Sequence, residues 1–181
     1  MSKEILRKKL INLRRVNYTN QMINYNQFKK LLKQYNFNKI KTIGGYFPIN
    51  SEIGCLEILK KLERSNFRIS LPITFKNSNM DFYKWSFKDP LKIGNQGIPE
   101  PLITKRVYPD VLIIPLVGFD KDKFRLGYGG GFYDRYIAKV SNIKKVLKVG
   151  FAFSYQKIRN VPKNNFDEKL DYILTEKGIK K

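Results

Sequence analysis

The chain has 181 residues, of which 42% are hydrophobic and 14% aromatic, so its composition excludes disorder along the whole chain. Its 36 lysines and arginines against 15 acidic residues give a formal net charge of +21 at pH 7. With no histidine and one cysteine, the sequence also excludes imidazole catalysis, an internal disulfide and a cysteine-based metal cluster.

The sequence has no segment that is typical of a membrane or secreted protein. No apolar run approaches the roughly 20 residues that a helix needs to cross a bilayer. The N-terminal segment MSKEILRKKL is charged and lacks the apolar stretch of a secretory signal. We therefore predict a cytoplasmic protein, organised as one domain over residues 1–181.

A helix is predicted over residues 2–15, because its leucines recur at helical spacing. The apolar stripe of this helix consists of Leu6, Leu10 and Leu13. Three basic residues lie close together on a different face of the same helix, namely Lys3, Arg7 and Arg14.

The later segments alternate between helical and strand patterns. Further helices are predicted over 19–35, with Thr19 or Asn20 as its cap, and over 51–66 and 132–142. Strands are predicted over 40–47, 67–74, 80–87, 110–119, 144–153 and 171–175, the last being the final strand. Residues 88–108 contain several prolines and turn residues and are predicted to form a long loop, while Pro115 predicts an end or bend in its strand. The alternation predicts an α/β fold, a single three-layer domain with a largely parallel central sheet flanked by helices.

The segment RLGYGGGFYDRY, residues 125–136, follows the most apolar predicted strand and precedes a predicted helix. Ligands of parallel sheets bind beyond the carboxyl ends of the strands, where this loop is expected. Its glycines let the backbone approach a ligand closely, and the following helix N-terminus favours an anion, with Arg125 and Arg135 on either side. These features predict a phosphate-binding loop, although neither the Walker A nor the dinucleotide-binding spacing is present. A close-packed glycine turn and a loop that contacts an RNA backbone remain alternatives.

Asp134 stands beside this predicted phosphate loop, where its carboxylate would repel a phosphate unless a cation lay between them. Mg²⁺ is the natural cation, since it binds one or two carboxylates together with phosphate oxygens. An acid at a helix N-terminus, or a pair with Arg135, would account for Asp134 equally well.

The segment LVGFDKDKFRLGYGGGFYDRY closely resembles the central motif of the 5-formyltetrahydrofolate cyclo-ligase family, also called 5,10-methenyltetrahydrofolate synthetases. Four other segments match the family in the same order, namely SKEILRKKL, YFPINSEI, GIPEP and FDEKLDYILT. The resemblance implies Mg²⁺-dependent conversion of 5-formyltetrahydrofolate and ATP to 5,10-methenyltetrahydrofolate, ADP and phosphate, through a phosphorylated formyl (iminium phosphate) intermediate. Phosphoryl transfer depends mainly on positioning and charge neutralisation, which suits a chain without histidine.

The resemblance also implies roles for individual residues. ATP binding is implied for Lys3, Arg7, Arg125, Leu126, Gly127, Tyr128, Gly129, Gly130, Gly131, Phe132 and Tyr133. Contacts with the folate are implied for Phe47, Glu52, Tyr128, Gly129, Gly130, Gly131 and Phe132, and Mg²⁺ ligation for Asp134 and Asp167. No protein general base is implied, and transfer relies on positioning by Arg125 and the glycine loop.

Without the resemblance, several of these residues would have ordinary interpretations. Lys3 and Arg7 would belong to a solvated basic face, and Phe47 would be a core aromatic. Glu52 would be an acid at a helix start, and Asp167 an acid in a loop.

The sequence also departs from the family at two positions. Phe166 occupies a position where many members have histidine, and Gly130 one where some have lysine. Met80 and Trp85 could line the folate pocket, but packing in the core is favoured for both. No chemistry is assigned to Cys55, which is expected to be buried.

The net charge of +21 has two interpretations. A polyanionic partner would explain it, and so would compositional drift in a chain rich in lysine, asparagine and isoleucine. Because the lysines are scattered, drift with a moderately anionic small ligand is favoured, so we expect a monomer with small-molecule substrates and neither nucleic acid nor membrane as partner. An RNA-binding module whose loop stacks bases, and a relative that binds folate without turnover, are the alternative functions.

Overall fold

The structure is a computed structural model that describes residues 2–35, 40–76 and 78–180. Within these ranges the chain forms four α-helices, α1 (Lys3–Val16), α2 (Tyr25–Gln34), α3 (Leu56–Arg64) and α4 (Phe132–Ser141). None of the helices in these ranges has the length and apolar character needed to span a membrane.

Eight strands form one central sheet, and the other strands of the described ranges form two short hairpins. The strands are β1 (Thr42–Gly44), β2 (Arg68–Thr74), β3 (Met80–Trp85), β4 (Leu91–Ile93), β5 (Pro99–Pro101), β6 (Arg106–Val107), β7 (Val111–Pro115), β8 (Gly118–Phe119), β9 (Arg125–Leu126), β10 (Leu147–Phe151), β11 (Tyr172–Thr175) and β12 (Gly178–Lys180). The order in the large sheet is β12-β11-β10-β7-β1-β2-β3-β6, and β4–β5 and β8–β9 are the hairpins. The five strands from β11 to β2 are parallel, while β12, β3 and β6 pair antiparallel at the ends. The prediction of an α/β fold with a largely parallel sheet is confirmed.

The central strand β7 is buried on both faces, as its continuous apolar sequence predicts. Val111 and Ile113 pack in the cluster that includes apolar residues of α2 and α3. Leu112 and Ile114 pack in a second cluster with residues of α4, and all four side chains are fully buried. The helices therefore cover both faces of the sheet, which gives the three predicted layers.

Helix α1 packs near the carboxyl end of β7, but its buried face differs from the prediction. Leu6 and Leu10 are buried against Val117 and other apolar residues, as predicted. Leu13 is exposed, and the fully buried residue of the last turn is Arg14. The predicted apolar stripe is therefore wrong at its third position, since Arg14 turns inward to backbone acceptors that the helical pattern does not show.

Two predicted helices begin later than expected. Helix α2 begins at Tyr25, because the Asn24 side chain accepts hydrogen bonds from the Asn26 and Gln27 N–H groups, so neither Thr19 nor Asn20 is its cap. Helix α3 begins at Leu56, after a turn in which Asn50 and Ser51 adopt left-handed φ angles of 47° and 60°.

The strand predictions were right in type but wrong in several boundaries. The predicted strand 110–119 divides into β7 and β8, so the expected interruption at Pro115 is confirmed. The predicted loop 88–108 instead contains β4, β5 and β6. Its prolines do not prevent the pairing of β4 with β5, because proline is tolerated in edge strands. The predicted final strand is followed by β12, which pairs antiparallel with β11.

Candidate active site

The strands of the parallel sheet end at a cavity of about 980 Å³. Its walls come from α1, the turn after β1, the glycine loop between β9 and α4, and the segment before β11. The cavity is lined by all of the predicted site residues, Lys3, Arg7, Phe47, Glu52, Arg125, Leu126, Gly127, Tyr128, Gly129, Gly130, Gly131, Phe132, Tyr133, Asp134 and Asp167. The fold thus brings residues that are more than 100 positions apart in the sequence to one place, at the edge where the sheet topology predicts a ligand.

Two arginines hold the glycine loop by donating hydrogen bonds to its carbonyl oxygens. Arg7 donates from Nε to the Gly127 carbonyl oxygen at 2.8 Å. Arg135 donates to the Gly130 carbonyl oxygen at 2.6 Å, and its other contact anchors it to the Ser78 carbonyl oxygen. These contacts fix the loop at both ends and place positive charge beside its backbone.

The backbone of the loop needs glycine at two positions. Gly129 has a φ of 107°, and Gly131, the N-cap of α4, has a φ of 66°. Such values lie in the left-handed region, which a side chain with a Cβ rarely adopts. The turn lets the loop enter α4 directly, so the free N–H groups of the first helical turn lie beside the cavity.

Asp134 pairs with Arg125 and not with Arg135, the alternative partner considered from the sequence. The Arg125 Nη2 to Asp134 Oδ1 distance is 2.7 Å, and the Arg125 side chain is almost fully buried. Arg125 also donates to the Glu168 carbonyl oxygen at 2.9 Å, while the Glu168 N–H donates to Asp134 Oδ1 at 3.0 Å. This closed set of contacts joins the glycine loop to the segment that carries Asp167.

Asp167 is held by the first turn of α1 and by its own loop. Its Oδ2 atom is 2.5 Å from the Lys3 ammonium and also accepts a hydrogen bond from the Asn164 N–H at 2.7 Å. The predicted basic pair of α1 is therefore divided between two tasks. Lys3 binds the carboxylate of Asp167, and Arg7 binds the glycine loop.

Asp134 and Asp167 fit the ligand requirements of Mg²⁺. Each uses one oxygen in the contacts above, and the second oxygen of each forms no hydrogen bond or ion pair within 2–35, 40–76 and 78–180. The same ranges contain no group of three or more acidic, cysteine or histidine side chains placed to hold a metal. Two carboxylates suffice for Mg²⁺, which retains water ligands and takes further oxygens from phosphates.

A polar network that joins the buried Arg14 and Glu52 through Tyr128 lies on the other side of the loop. Tyr128 donates from its hydroxyl to Glu52 Oε1 at 2.8 Å, and Arg14 donates from Nη2 to the same hydroxyl. The remaining nitrogens of Arg14 donate to the carbonyl oxygens of Asn50 at 3.0 Å and Leu116 at 3.2 Å. The sequence places Arg14 near Lys3 and Arg7 but indicates no role for it. Its position one turn after Leu10 on the buried side of α1 is the signal that was available.

Glu52 is presented to the cavity by the tight turn after β1. Its Oε2 atom accepts a hydrogen bond from the Ile49 N–H at 2.9 Å, and only 6% of the residue is exposed. Burial raises the pKa of the Glu52 carboxyl, an effect that the hydrogen bonds from Ile49 and Tyr128 and the charge of Arg14 oppose. Burial also raises the pKa of the Tyr128 hydroxyl, so this group remains a neutral donor to Glu52.

A family model described as the 5-formyltetrahydrofolate cyclo-ligase family matches residues 1–176. The chain belongs to this family. Among curated proteins, the 5-formyltetrahydrofolate cyclo-ligase of Haemophilus influenzae is 36% identical over 141 residues, 74% of this chain and 75% of the relative. The cyclo-ligase of Escherichia coli strain K12 is 32% identical over 145 residues, 76% of this chain and 79% of the relative.

Solved structures from the same family share the fold of this cyclo-ligase family member. The NMR structure of 5,10-methenyltetrahydrofolate synthetase from Aquifex aeolicus has a TM-score of 0.79 and 29% identity, covering 100% of this chain and 93% of its own. The 5,10-methenyltetrahydrofolate synthetase of Mycoplasma pneumoniae has a TM-score of 0.73 and 27% identity, covering 97% and 99% respectively. Membership in the family makes this chain an enzyme of the ligase class.

Several cavity residues of this cyclo-ligase family chain carried no definite role in the sequence analysis. Glu100, from the GIPEP segment, lines the cavity, is 6% exposed and lies 3.7 Å from the Lys92 ammonium. Met80 also lines the cavity, whereas Trp85 is packed in the core. Phe166 lines the cavity with 83% of its surface exposed.

Cys55 is buried, as expected, and its surroundings do not favour redox chemistry. Its thiol donates to the Tyr46 carbonyl oxygen at 3.1 Å. Burial raises the pKa of the Cys55 thiol to about 12, which keeps it in the unreactive neutral form at physiological pH.

Proposed function

We propose that this protein converts 5-formyltetrahydrofolate to 5,10-methenyltetrahydrofolate with ATP, in a Mg²⁺-dependent reaction that releases ADP and phosphate. The observation that carries the proposal is one cavity lined by the glycine loop, by the carboxylates of Asp134 and Asp167, and by the buried Glu52. Family membership supports the folate substrate. We further propose that the chain acts as one domain over residues 1–181 and as a monomer.

ATP is assigned to the side of the cavity formed by α1 and the glycine loop. Lys3 and Arg7 supply positive charge, and the loop backbone from Arg125 to Tyr133 supplies N–H groups for the phosphates. The contacts of Arg7 and Arg135 with loop carbonyls support this assignment, because they turn those oxygens away from the anion. Because position 130 is glycine, it supplies no cationic side chain. Lys3, Arg7 and Arg125 therefore provide the positive charge near the phosphates.

Asp134 and Asp167 are the proposed Mg²⁺ ligands. Arg125 and Lys3 each engage one carboxylate oxygen and orient the other toward the remaining ligands. When bound, Mg²⁺ would neutralise the charge on the transferring phosphoryl group. The Glu168 backbone, which contacts Arg125 and Asp134, keeps the two ligand segments together.

The folate is assigned to the side of the cavity that contains Glu52. The Glu52 carboxylate would accept hydrogen bonds from N–H groups of the pterin or from an N–H group beside the formyl group. Phe47 provides an apolar wall, and the loop from Tyr128 to Phe132 is shared between folate and ATP. This division places the formyl oxygen near the γ-phosphate, as the transfer requires.

The proposed chemistry proceeds in two steps without a protein general base. The formyl oxygen attacks the γ-phosphorus, the bond to the β–γ bridging oxygen breaks, and ADP leaves. N10 then attacks the formyl carbon of the iminium phosphate, loses its proton to solvent, and phosphate departs as the C–O bond breaks. Arg125 and the glycine loop contribute by positioning and by neutralising charge.

The decisive assay mixes the purified protein with Mg-ATP and 5-formyltetrahydrofolate and follows the absorbance of the methenyl product. Omission of ATP, or of Mg²⁺ in the presence of a chelator, should stop the reaction. A folded protein that forms no product would contradict the proposal. Binding of the folate without turnover would then indicate a non-catalytic relative, and tight, steeply salt-dependent retention on polynucleotides would indicate an RNA-binding module.

A further inference from the structure

Arg14 is a fully buried arginine whose three guanidinium nitrogens each donate a hydrogen bond to a different segment around the cavity. Nε binds the Asn50 carbonyl oxygen, Nη1 binds the Leu116 carbonyl oxygen, and Nη2 binds the Tyr128 hydroxyl. Its exposed fraction is 1%. An arginine buried to this extent is rare in proteins unless it is paired, and here its partners all belong to segments that line or border the proposed folate site.

Two of these contacts help to fix the position of Glu52, one through the turn that precedes it and one through Tyr128. The bond to Asn50 fixes the turn that precedes Glu52, where Asn50 and Ser51 hold left-handed φ angles of 47° and 60°. Residues with a side chain rarely adopt this conformation, so two of them in succession need an external constraint. The bond to Tyr128 fixes the hydroxyl that donates to Glu52 Oε1.

The arrangement also supplies the positive charge that faces the Glu52 carboxyl. The other titratable groups that interact with Glu52 are Tyr46 and Cys55 from its own segment, Tyr128 from the loop and Tyr133 from α4. Burial raises the pKa of all four groups, so they remain neutral at physiological pH. Arg14 lowers the pKa of Glu52, against the effect of burial.

We infer that Arg14 is a positioning residue for the folate, acting through the Asn50 turn and the Tyr128 hydroxyl to hold Glu52 in place as a hydrogen-bond acceptor. The inference rests on the proposed role of Glu52 in binding 5-formyltetrahydrofolate. Arg14 itself does not line the cavity, so its effect on the substrate is transmitted by Tyr128 and Glu52.

The test compares Arg14→Gln with Arg14→Lys and with Arg15→Gln, a change at the neighbouring exposed arginine. Arg14→Gln should raise the KM for 5-formyltetrahydrofolate roughly tenfold near pH 8, since a charge-assisted contact is lost. The KM for ATP should stay within about twofold, because the hydrogen bonds of Arg14 go to Asn50, Leu116 and the Tyr128 hydroxyl and none goes to Lys3, Arg7 or the loop backbone.

The pH profile separates a positioning role from a merely structural one. Without the charge of Arg14, the pKa of Glu52 rises further, so the acid limb of kcat/KM for the folate moves to higher pH. Arg14→Lys should keep the wild-type limb, because it retains the charge, while restoring the folate KM only in part. Arg15→Gln should match the wild type in both measurements.

The second measurement does not depend on turnover. Carboxyl ¹³C NMR of the ligand-free protein, with the Glu52 signal assigned through Glu52→Gln, should show titration at higher pH in Arg14→Gln. If Arg14→Gln does not fold, Tyr128→Phe removes the same link while keeping the arginine, and should raise the folate KM without changing the fold.

The outcomes distinguish a failure of the proposed function from a failure of the positioning role of Arg14. If the wild type has no cyclo-ligase activity but Glu52 titrates at higher pH in Arg14→Gln, the proposed function is contradicted and the coupling of Arg14 to Glu52 still holds. An active wild type, with unchanged folate KM, pH limb and Glu52 titration in Arg14→Gln, would overturn the inference.

Discussion

Arg125 and Asp134 form an ion pair of 2.7 Å that spans the glycine loop from the strand before it to the helix after it. Both partners also bind the backbone of Glu168, so the pair fixes the loop and the C-terminal segment together. One oxygen of Asp134 is used in these contacts. The pair therefore orients the carboxylate of the proposed metal ligand while holding the ends of the proposed phosphate loop.

The first prediction concerns Asp134→Asn. This change removes the charge that Mg²⁺ requires, so turnover should fall at least about 100-fold under saturating ATP and folate. It also leaves the buried Arg125 without its ionic partner, and unfolding by urea should show a loss of about 1–3 kcal/mol. The protein should remain folded by circular dichroism.

Asp122→Asn is the matched control, because Asp122 is exposed and does not line the cavity. It should retain wild-type turnover and stability within about 0.5 kcal/mol. Near-normal activity of Asp134→Asn would show that the proposed metal ligand is wrong.

The layer architecture could be predicted from sequence because β7 has a continuous apolar sequence and the helices carry helical periodicity. The short strands β4, β5 and β6 could not, since segments of two or three residues are too short to show a strand pattern and have little local preference. The missed start of α3 has another cause, since it depends on left-handed φ angles at Asn50 and Ser51, which residues with a side chain rarely adopt.

In the candidate site, residues with a motif could be proposed from sequence, and residues held by long-range contacts could not. The glycine loop, Lys3 and Asp167 lie in segments that resemble a family, and the structure collects them around one cavity. Arg14 lies outside these segments, and its position one turn after Leu10 is a weak signal, because a charged residue on a helix is normally assigned to solvent. Its burial depends on acceptors 36, 102 and 114 residues away, which no periodicity contains.

The second prediction compares two glycines of the loop. At Gly127, a Cβ would meet no atom within 4 Å in the part of the chain that the structure describes, and its backbone is not left-handed. Gly127→Ala should therefore keep the stability within about 0.5 kcal/mol. Its methyl group would stand between the backbone and the phosphates, so the KM for ATP should rise roughly tenfold.

Gly131→Ala should show the opposite pattern in stability. A Cβ at Gly131 would lie 2.6 Å from Nη1 of Arg135, and the φ of 66° is unfavourable for alanine. The expected loss is about 1–2 kcal/mol or more in urea unfolding. Equal stability of the two variants would contradict the loop geometry, and an unchanged ATP KM in Gly127→Ala would contradict the nucleotide assignment.

The third prediction concerns the Tyr133 hydroxyl. It is buried, and it has no hydrogen-bond partner among the residues that the structure describes. An unpaired buried hydroxyl is unfavourable, so Tyr133→Phe should leave the ligand-free protein as stable as the wild type or more stable, as measured by Tm.

Tyr46→Phe is the matched comparison, since the buried Tyr46 hydroxyl donates to the Ile53 carbonyl oxygen. Its removal leaves that oxygen unpaired, and the expected loss is about 1–2 kcal/mol. A larger loss in Tyr133→Phe than in Tyr46→Phe would mean that the Tyr133 hydroxyl has a stabilising partner.

The last prediction concerns the pH dependence of stability at Glu52. Burial raises the pKa of this carboxyl above its ordinary value of 4.5, so the folded state holds the proton more tightly than the unfolded state. The wild type should therefore lose stability relative to Glu52→Gln as the pH rises above about 4.5. The difference should become constant once the pH exceeds the raised pKa of the folded protein.

The measurement is urea unfolding of both proteins at matched ionic strength from pH 4 to pH 8. Glu57→Gln, at an exposed glutamate of the adjacent helix, controls for the loss of one negative charge. The wild type minus Glu52→Gln difference is the informative quantity, because it cancels the titration of groups common to both. A difference that rises with pH would show that Tyr128, Ile49 and Arg14 stabilise the ionised carboxylate more than burial destabilises it.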